Sequence, residues 1–305
     1  MRAVLSAGAV GLALALDAAV AEPPTTVHPV AWFGHTVGPL DRDWPAPRLV
    51  GLLGALALPL TAAAVVWGGV TVATGVEPLA GAAVAGLALF VTTSLRRLLS
   101  AARDVSEASE RDLATAREDL RALAGRDATD LSAGAVRSAA VESAAENLAD
   151  GLVAPLAAFA LGAQFSLAVG AAAAVWVKAI NTMDSMLGYH SKPVGWGPAR
   201  LDDAVMWLPA RASALLLAVA AAAPTALRRA TRWVGSVPSP NSGWPMGTLA
   251  AALDVRLEKP GVYVLNPDAG LPTVDDARAA VRVVAVAGVL AYATTAAVVL
   301  LPEVR

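Results

Sequence analysis

Six long apolar runs alternate with polar blocks along the chain. Val4 to Ala21, Leu49 to Val72, Leu79 to Ser94, Ala154 to Val177, Leu208 to Ala223 and Val281 to Leu301 approach the roughly 20 residues that cross a bilayer as a helix. The second, fourth and sixth are the strongest. All are rich in Ala, Leu, Val and Gly without strict alternation, a pattern that favours helices over barrel strands. The predicted fold is all-α: a multi-pass helical integral membrane protein. Residues 1–305 are expected to form a single membrane-embedded domain, with the polar helical block 96–150 and the loop 234–271 as inserted cytoplasmic elements. No repeat of 20–50 residues is visible.

Between the runs, residues 96–124 mix acids and arginines at i,i+3 and i,i+4 spacing, as in Glu107 to Arg111 and Glu118 to Arg121. This spacing predicts a solvated amphipathic helix pair. In "AGRDATDL", Gly125 can end one helix and Thr129 or Asp130 can cap the next. Arg96, Arg97, Arg103, Arg111, Arg117, Arg121, Arg126 and Arg137 share one interval, so the positive-inside rule places that block in the cytoplasm. Arg228, Arg229 and Arg232 predict the same for the later segment. One full crossing at 154–177 would then set "NTMDSM" on the opposite side from "ESAAENLAD". Gly162 and Gly170 interrupt this run, and the expectation is a re-entrant helical hairpin that returns the chain to the same face.

Composition strengthens the membrane assignment: 56% of the 305 residues are hydrophobic, with 25 Gly besides, and only 16% are charged. A soluble domain has about 45–50% apolar and 25% charged residues. The net charge of −2 lacks the basic excess of a nucleic-acid footprint. The absence of cysteine excludes disulfides, thiolate nucleophiles and Cys-ligated zinc. His28, His35 and His190 are too scattered in sequence to argue for zinc, and no haem is expected. There is no Walker A loop, GxSxG elbow, HExxH or Rossmann fingerprint. The N-terminus imitates a signal peptide, with Arg2, an apolar stretch and Ala19-Val20-Ala21 as a cleavage-like site, but Asp17 interrupts the apolar region.

Four stretches carry candidate chemistry. In "RSAAVESAAENLADG", Glu142, Glu146 and Asp150 fall one helical turn apart, beside Ser143 and Asn147 and next to small-residue faces that permit close packing. Like charges at that spacing need a cation, either Arg or a hard divalent metal such as Mg²⁺; a solvated helix end is the bland alternative. "KAINTMDSMLGY" sets Lys178, Asn181, Asp184 and Ser185 on one helix face, where such groups at a membrane boundary point to function. "ARLDDAVMWLPAR" adds Arg200, Asp202, Asp203 and Arg211, and ordinary salt bridging is its bland account. "SPNSGWP" predicts a rigid turn-rich loop rather than a helix, able to clamp a ligand with Trp244 as a flat wall.

Taken with "LALALDAAVAEPPTTVHPVAWFG" and "GRDATDLSAGAVRSAAVESAAENLADGLVAP", these blocks resemble the CbiB/CobD family of cobalamin biosynthesis, the adenosylcobinamide-phosphate synthases. Five blocks run in the family's order from about residue 11 to residue 253. The resemblance puts Asp17, His28, Pro29 and Gly34 in the first motif, which implies that the N-terminal segment is not a cleaved signal peptide. It implies a multi-pass cell-membrane enzyme joining (R)-1-amino-2-propanol, or its O-phosphate, to the f-side propionate of adenosylcobyric acid, with ATP and Mg²⁺. Two positions depart from the family's pattern: Ala21-Glu22-Pro23 stands where Gly-Asp-Pro is usual, and Met246 where Glu is usual.

On that resemblance Glu142, Glu146 and Asp184 are assigned to Mg²⁺ or to general-base work on the amine. Arg137, Lys178, Arg200 and Arg211 are assigned to phosphate charge, and Asn181, Asn241 and Asp202 to substrate orientation. His28, Arg126, Asp127, Asn147, Asp150, Ser185, Asp203, Ser239 and Trp244 complete the expected substrate-binding set. Other corrinoid-pathway enzymes are candidate partners; nucleic acid is not. A transporter or channel with intramembrane acids is the competing class, and it predicts inverted pseudo-repeats, which the chain does not show. A catalytically silent scaffold for corrinoid enzymes is a third.

Overall fold

Backbone N–H and C=O groups in hydrocarbon must be satisfied within the protein, and apolar runs of Ala, Leu, Val and Gly meet that demand as helices. The computed structural model of the chain describes residues 1–124, 126–189 and 191–301, so Gly125 and His190 lie outside the described residues. Its helices are α1 (Arg2–Val20), α2 (Pro29–Val37), α3 (Pro47–Val76), α4 (Pro78–Thr92), α5 (Leu95–Arg111), α6 (Leu113–Ala124) and α7 (Ala133–Leu148). A π-turn, Ala149–Val153, leads into α8 (Ala154–Ala163). Then come α9 (Leu167–Leu187), α10 (Trp196–Val205), α11 (Trp207–Ala220), α12 (Thr225–Ala230), α13 (Gly243–Leu253) and α14 (Val274–Val299). A short hairpin, β1 (Leu257–Lys259) and β2 (Tyr263–Leu265), precedes α14.

The protein is a multi-pass helical membrane protein. Among the described residues, five helical stretches are long and apolar enough to cross a bilayer: Arg2–Val20, Pro47–Val76, Pro78–Arg111, Ala133–Ala163 and Val274–Val299. Counting the bent pair Pro193–Val205 and Trp207–Ala220 as one span makes six. In α3 only 17% of the most apolar window is buried inside the protein, so Leu53, Leu60, Val65 and Val72 face outward. An apolar helix exposed in this way is suited to lipid.

The helix starts follow from local chemistry. Pro47 and Pro78 open α3 and α4, where a missing N–H costs nothing. The Glu77 carboxylate accepts from Leu79 N–H (3.1 Å), and Ser166 Oγ accepts from Val169 N–H (3.1 Å). Ser132, rather than Thr129 or Asp130, caps α7 by accepting from Ala135 N–H at 3.2 Å.

The chain divides into two compact units. The first comprises residues 1–94, 150–206 and 291–305. Within it α9 is central, packing on α2, α3, α4, α8 and α10, while α1 packs on α4. Residues 154–177 form a helical hairpin turning at 164–166. Gly162 and Gly170 prove to be packing positions rather than breaks: a Cβ on Gly162 would stand 2.7 Å from the Val169 carbonyl oxygen and 2.8 Å from Gly170 Cα. Small residues let the backbones of α8 and α9 meet. Gly51 of α3 likewise lies against the Val194 backbone.

The second unit comprises residues 95–149 and 207–290. Its amphipathic pair α5 and α6 packs with α7 around Val105, Ala116, Leu120, Val136, Ala139 and Ala140. The hairpin was not anticipated, since three-residue strands leave too little alternation to read. Its register pairs Leu257 with Leu265 and Lys259 with Tyr263, and Gly261 supplies the positive φ of 75° in the turn. "SPNSGWP" is only half loop, because Gly243, Trp244 and Pro245 already form the first turn of α13. A proline is tolerated there.

Gly51→Ala is expected to destabilise by about 1–3 kcal/mol, since its methyl collides with a backbone carbonyl that has no room to retreat. Gly68→Ala, where a Cβ meets nothing within 4 Å, is expected to be neutral or to stabilise by up to about 1 kcal/mol. Thermal inactivation of the two purified variants in detergent compares them directly.

Candidate functional site

The expected site residues fall in both units. His28, Asp150, Lys178, Asn181, Asp184, Ser185, Arg200, Asp202 and Asp203 belong to the first. Arg126, Asp127, Arg137, Glu142, Glu146, Asn147, Arg211, Ser239, Asn241 and Trp244 belong to the second.

In the second unit the sharpest feature is Glu142 on α7, whose side chain is fully buried. A buried carboxylate is tolerable only when paired and hydrogen-bonded. Its Oε2 accepts from Arg126 Nη2 (2.9 Å) and from the Tyr263 hydroxyl (2.7 Å), and its Oε1 accepts from Ser138 Oγ (2.8 Å). Ser138 Oγ in turn accepts from Glu258 N–H at 2.8 Å, tying β1 to α7. Burial and the neighbouring carboxylate push the Tyr263 phenol far above its ordinary value, so it stays protonated and donates. The sulfur of Met246 stands 3.8 Å from that hydroxyl. Arg126 Nε and Nη1 are buried and make no hydrogen bond among the described residues.

One turn further along α7, Glu146 accepts from Ser242 Oγ (2.6 Å). Ser239 Oγ accepts from the N–H groups of Asn241 (3.2 Å) and Ser242 (3.3 Å), which folds the loop before α13. Asn241 Oδ1 accepts from Arg211 Nη1 at 3.2 Å. The Arg211 guanidinium lies 4.3 Å from the Trp207 ring centroid and 5.1 Å from that of Trp244, within cation–π range. Here Ser239, Asn241, Trp244 and Arg211 do assemble. By contrast, Arg137 donates to the Pro272 carbonyl (2.6 Å) and to Ser109 Oγ (3.0 Å), a strap between segments. Asn147 donates to the Ser143 carbonyl. Asp127 is exposed, and hydrogen bonds from Thr129 hold its carboxyl below the usual range.

The proposed Mg²⁺ centre does not fit as three carboxylates. Both Glu142 oxygens are engaged by Arg126, Tyr263 and Ser138. Among the described residues no group of three or more Asp, Glu or His side chains is placed to hold a metal ion.

In the first unit a polar chamber of about 400 Å³ is lined by Glu22, Thr25, His28, Thr92, Thr93, Ser94, Lys178 and Thr182 among others. From α9 it takes Lys178, Thr182 and Met186, four residues apart; Asn181, Asp184 and Ser185 do not line it. Lys178 Nζ makes no hydrogen bond or ion pair to another described residue, although Asp150, Glu22 and Asp202 are near enough to act on its charge. His28 caps α2, its Nδ1 accepting from Val30 N–H (3.2 Å), which assigns the proton to Nε2. An apolar cleft of about 520 Å³ between α2, α3, α4 and α9 shares Val30, Val91, Thr92, Lys178 and Thr182 with the chamber. The exposed Arg200 pairs with the partly buried Asp203 at 3.5 Å, an ion pair of little energetic weight.

Sequence reasoning missed Ser138, Ser242 and Tyr263 as partners of the acids, and Thr92 and Thr182 as chamber wall. None carries a pattern of its own. The Lys178–Thr182 spacing of one helical turn was the single readable signal.

Comparison with known proteins places these features in context. Residues 10–293 match the protein family described as CobD/Cbib protein. "Probable cobalamin biosynthesis protein CobD" of Methanothrix thermoacetophila is 35% identical over 305 residues, covering 95% of this chain and 96% of that protein. "Cobalamin biosynthesis protein CobD" of Geobacter metallireducens is 39% identical over 285 residues, 88% and 87% of the two chains. "Cobalamin biosynthesis protein CbiB" of Salmonella choleraesuis is 34% identical over 306 residues, 92% and 94%. No solved structure matches the chain.

Arg126→Met is expected to cost about 3–5 kcal/mol, because it strands a buried carboxylate. Arg126→Met with Glu142→Met is expected to cost less than Arg126→Met alone, a coupling that a double-mutant cycle in detergent unfolding measures. Burial lowers the pKa of His28. Its contribution to stability is therefore complete above the unfolded value of about 6.5 and is lost as pH falls through the depressed folded value. His28→Asn replaces the capping Nδ1 by an amide oxygen acceptor and removes the titrating ring, and is expected to flatten that part of the stability profile below pH 6.5.

Proposed function

The chain belongs to the CobD/CbiB family, and from that premise we propose that it is an amide-forming synthase of cobalamin biosynthesis. The carrying observation is the family match over residues 10–293, which contains all five motif blocks. Cobalamin biosynthesis is the role the family gives it. The finer reading is that it joins aminopropanol, or its O-phosphate, to the f-side propionate of adenosylcobyric acid with ATP.

A carboxylate is a poor electrophile, and an amine near neutral pH is mostly protonated. An acyl phosphate resolves the first difficulty: a propionate oxygen attacks the γ-phosphorus and ADP leaves. The amine nitrogen, having lost its proton to a base, then attacks the carbonyl carbon. Phosphate departs with the former carboxylate oxygen, and the amide remains. Mg²⁺, if carried on the nucleotide's phosphates, would neutralise their charge without needing a cluster of protein carboxylates.

Within this scheme Glu146 and Asp184 are the candidate bases. Glu142 is reassigned as a positioning acid, since its oxygens are already filled and its work is to hold Arg126 and Tyr263. Arg126 keeps two buried nitrogens, Nε and Nη1, without hydrogen-bond partners among the described residues, which suits it to an anion. Lys178 and Arg211 are the other candidates for phosphate charge, where positioning and electrostatics supply most of the catalysis. Arg211 between two tryptophans, with Asn241, offers a flat surface for a planar group. In this reading the motif-bearing loops face the cytoplasm, which the arginine-rich interval from Arg96 to Arg137 supports.

Membranes carrying Glu146→Gln or Asp184→Asn are expected to lose at least about a hundredfold in amide formation from ATP, Mg²⁺, adenosylcobyric acid and aminopropanol phosphate, as a lost general base does. Wild-type turnover in both variants contradicts the base assignment. Single cysteines at the exposed Glu118 and Lys259 are expected to react with an impermeant maleimide only from the cytoplasmic side.

A further inference from the structure

The apolar cleft of the first unit is walled in part by α3 and α4, two helices of membrane-spanning length, and it opens sideways. Val65 of α3 and Leu87 of α4 line it while remaining 70% and 50% exposed. On helices that cross a bilayer, exposure on this scale is exposure to hydrocarbon. Gly69 belongs to the same wall, and a Cβ there meets nothing within 4 Å. The opposite end of the cleft is polar, with Thr92, Thr182 and Lys178. Lys178 is the only charged side chain on the lining, and it makes no hydrogen bond or ion pair to another described residue. Thr92 is the last residue of α4, shortly before Arg96 and Arg97, so the polar end lies where the chain leaves the apolar layer.

We propose that this cleft holds one acyl chain of an anionic membrane phospholipid, with the headgroup at the Lys178 end. Apolar walls gain dispersion energy only against apolar atoms, and a chain that rotates about each of its bonds can follow an irregular groove. A transmembrane helix does not fit. Two turns of a helix about 10 Å across fill roughly 850 Å³, against about 520 Å³ in the cleft, which excludes a helix of a second copy of this chain as the occupant. The position of the charge then selects the lipid. A headgroup resting where α4 ends meets one cation and two threonine hydroxyls, and no carboxylate lines the cleft. A net negative headgroup is therefore favoured over a zwitterionic one. Lipid retention in the cleft is independent of the synthase reading.

The test reconstitutes the full chain, without ATP or corrinoid, in nanodiscs of phosphatidylglycerol and phosphatidylcholine in equal parts, each lipid carrying a diazirine midway along one acyl chain. Exchange into detergent strips loosely held surface lipid. Retained lipid is then quantified by mass spectrometry, and its cross-links are mapped after irradiation. Phosphatidylglycerol is expected to be retained about fivefold over phosphatidylcholine, the worth of one basic residue beside an anionic headgroup, and to cross-link near Val65 and Leu87. Gly69→Leu places a side chain in the cleft and is expected to lower retention at least about tenfold, the scale of overpacking. Ala62→Leu, on the same wall, is expected to do the same without touching the glycine. Leu53→Phe, on an exposed face of α3 outside the lining, is expected to change nothing. Lys178→Gln is expected to abolish the preference for phosphatidylglycerol and to leave the cross-linked wall the same. Unchanged retention in both filling variants, equal retention of the two lipids by wild type, or cross-links confined to the stretch around Leu53 overturns the proposal.

Discussion

Charge buried in an apolar helical protein has to be answered within a few ångströms, and that requirement shapes this molecule. Glu142 shows it most plainly. One carboxylate holds Arg126 from the segment before α7, Tyr263 from β2 and, through Ser138, the backbone of β1. The segment before α7 and the distant β1–β2 hairpin are both fixed around a single side chain. The hairpin is too short to persist by itself, and its attachment to α7 gives it a place. The π-turn after α7 carries Asp150, the third acid of the stripe, into the other unit. The three acids that repel one another on a helical wheel therefore have separate partners: Glu142 the Arg126 network, Glu146 the Ser242 hydroxyl, and Asp150 a group of its own.

The second constraint is close packing without a strong hydrophobic drive between helices in lipid. Glycine meets it where backbones touch. Gly51 lies against Val194, Gly162 against Gly170, and Gly197 against the Leu52 backbone. Gly68, Gly69 and Gly75, in the same apolar composition, meet nothing. The chain thus uses one residue type in two ways that only the fold distinguishes.

Much of the fold was legible because hydropathy and length dictate it. The apolar runs at 49–72, 79–94 and 281–301 became α3, α4 and α14, with α3 extending beyond its run to Val76 and α14 starting earlier at Val274, and the 96–124 block became the amphipathic pair α5 and α6. The hairpin of helices at 154–177 was foreseen from charge bookkeeping, but its glycines were misjudged as breaks, since close approach and chain reversal leave the same mark in a sequence. The site was legible as a set of acids and bases and not as an arrangement. Motif blocks named Glu142, Lys178, Arg211 and Asn241, but Tyr263 and Ser138 lie 121 and 4 residues from the acid they serve. Nothing local announces a phenol that closes over a carboxylate from a distant strand.

The chemistry proposed for the chain turns on activating a propionate with ATP. Positional isotope transfer tests this most directly: adenosylcobyric acid labelled with ¹⁸O in the f-side carboxylate is incubated with the protein, ATP, Mg²⁺ and aminopropanol phosphate, and the phosphate released is analysed by mass spectrometry. An acyl-phosphate route predicts one ¹⁸O in inorganic phosphate for each amide formed. Amide formation with unlabelled phosphate, or none at all with ATP consumed, contradicts it.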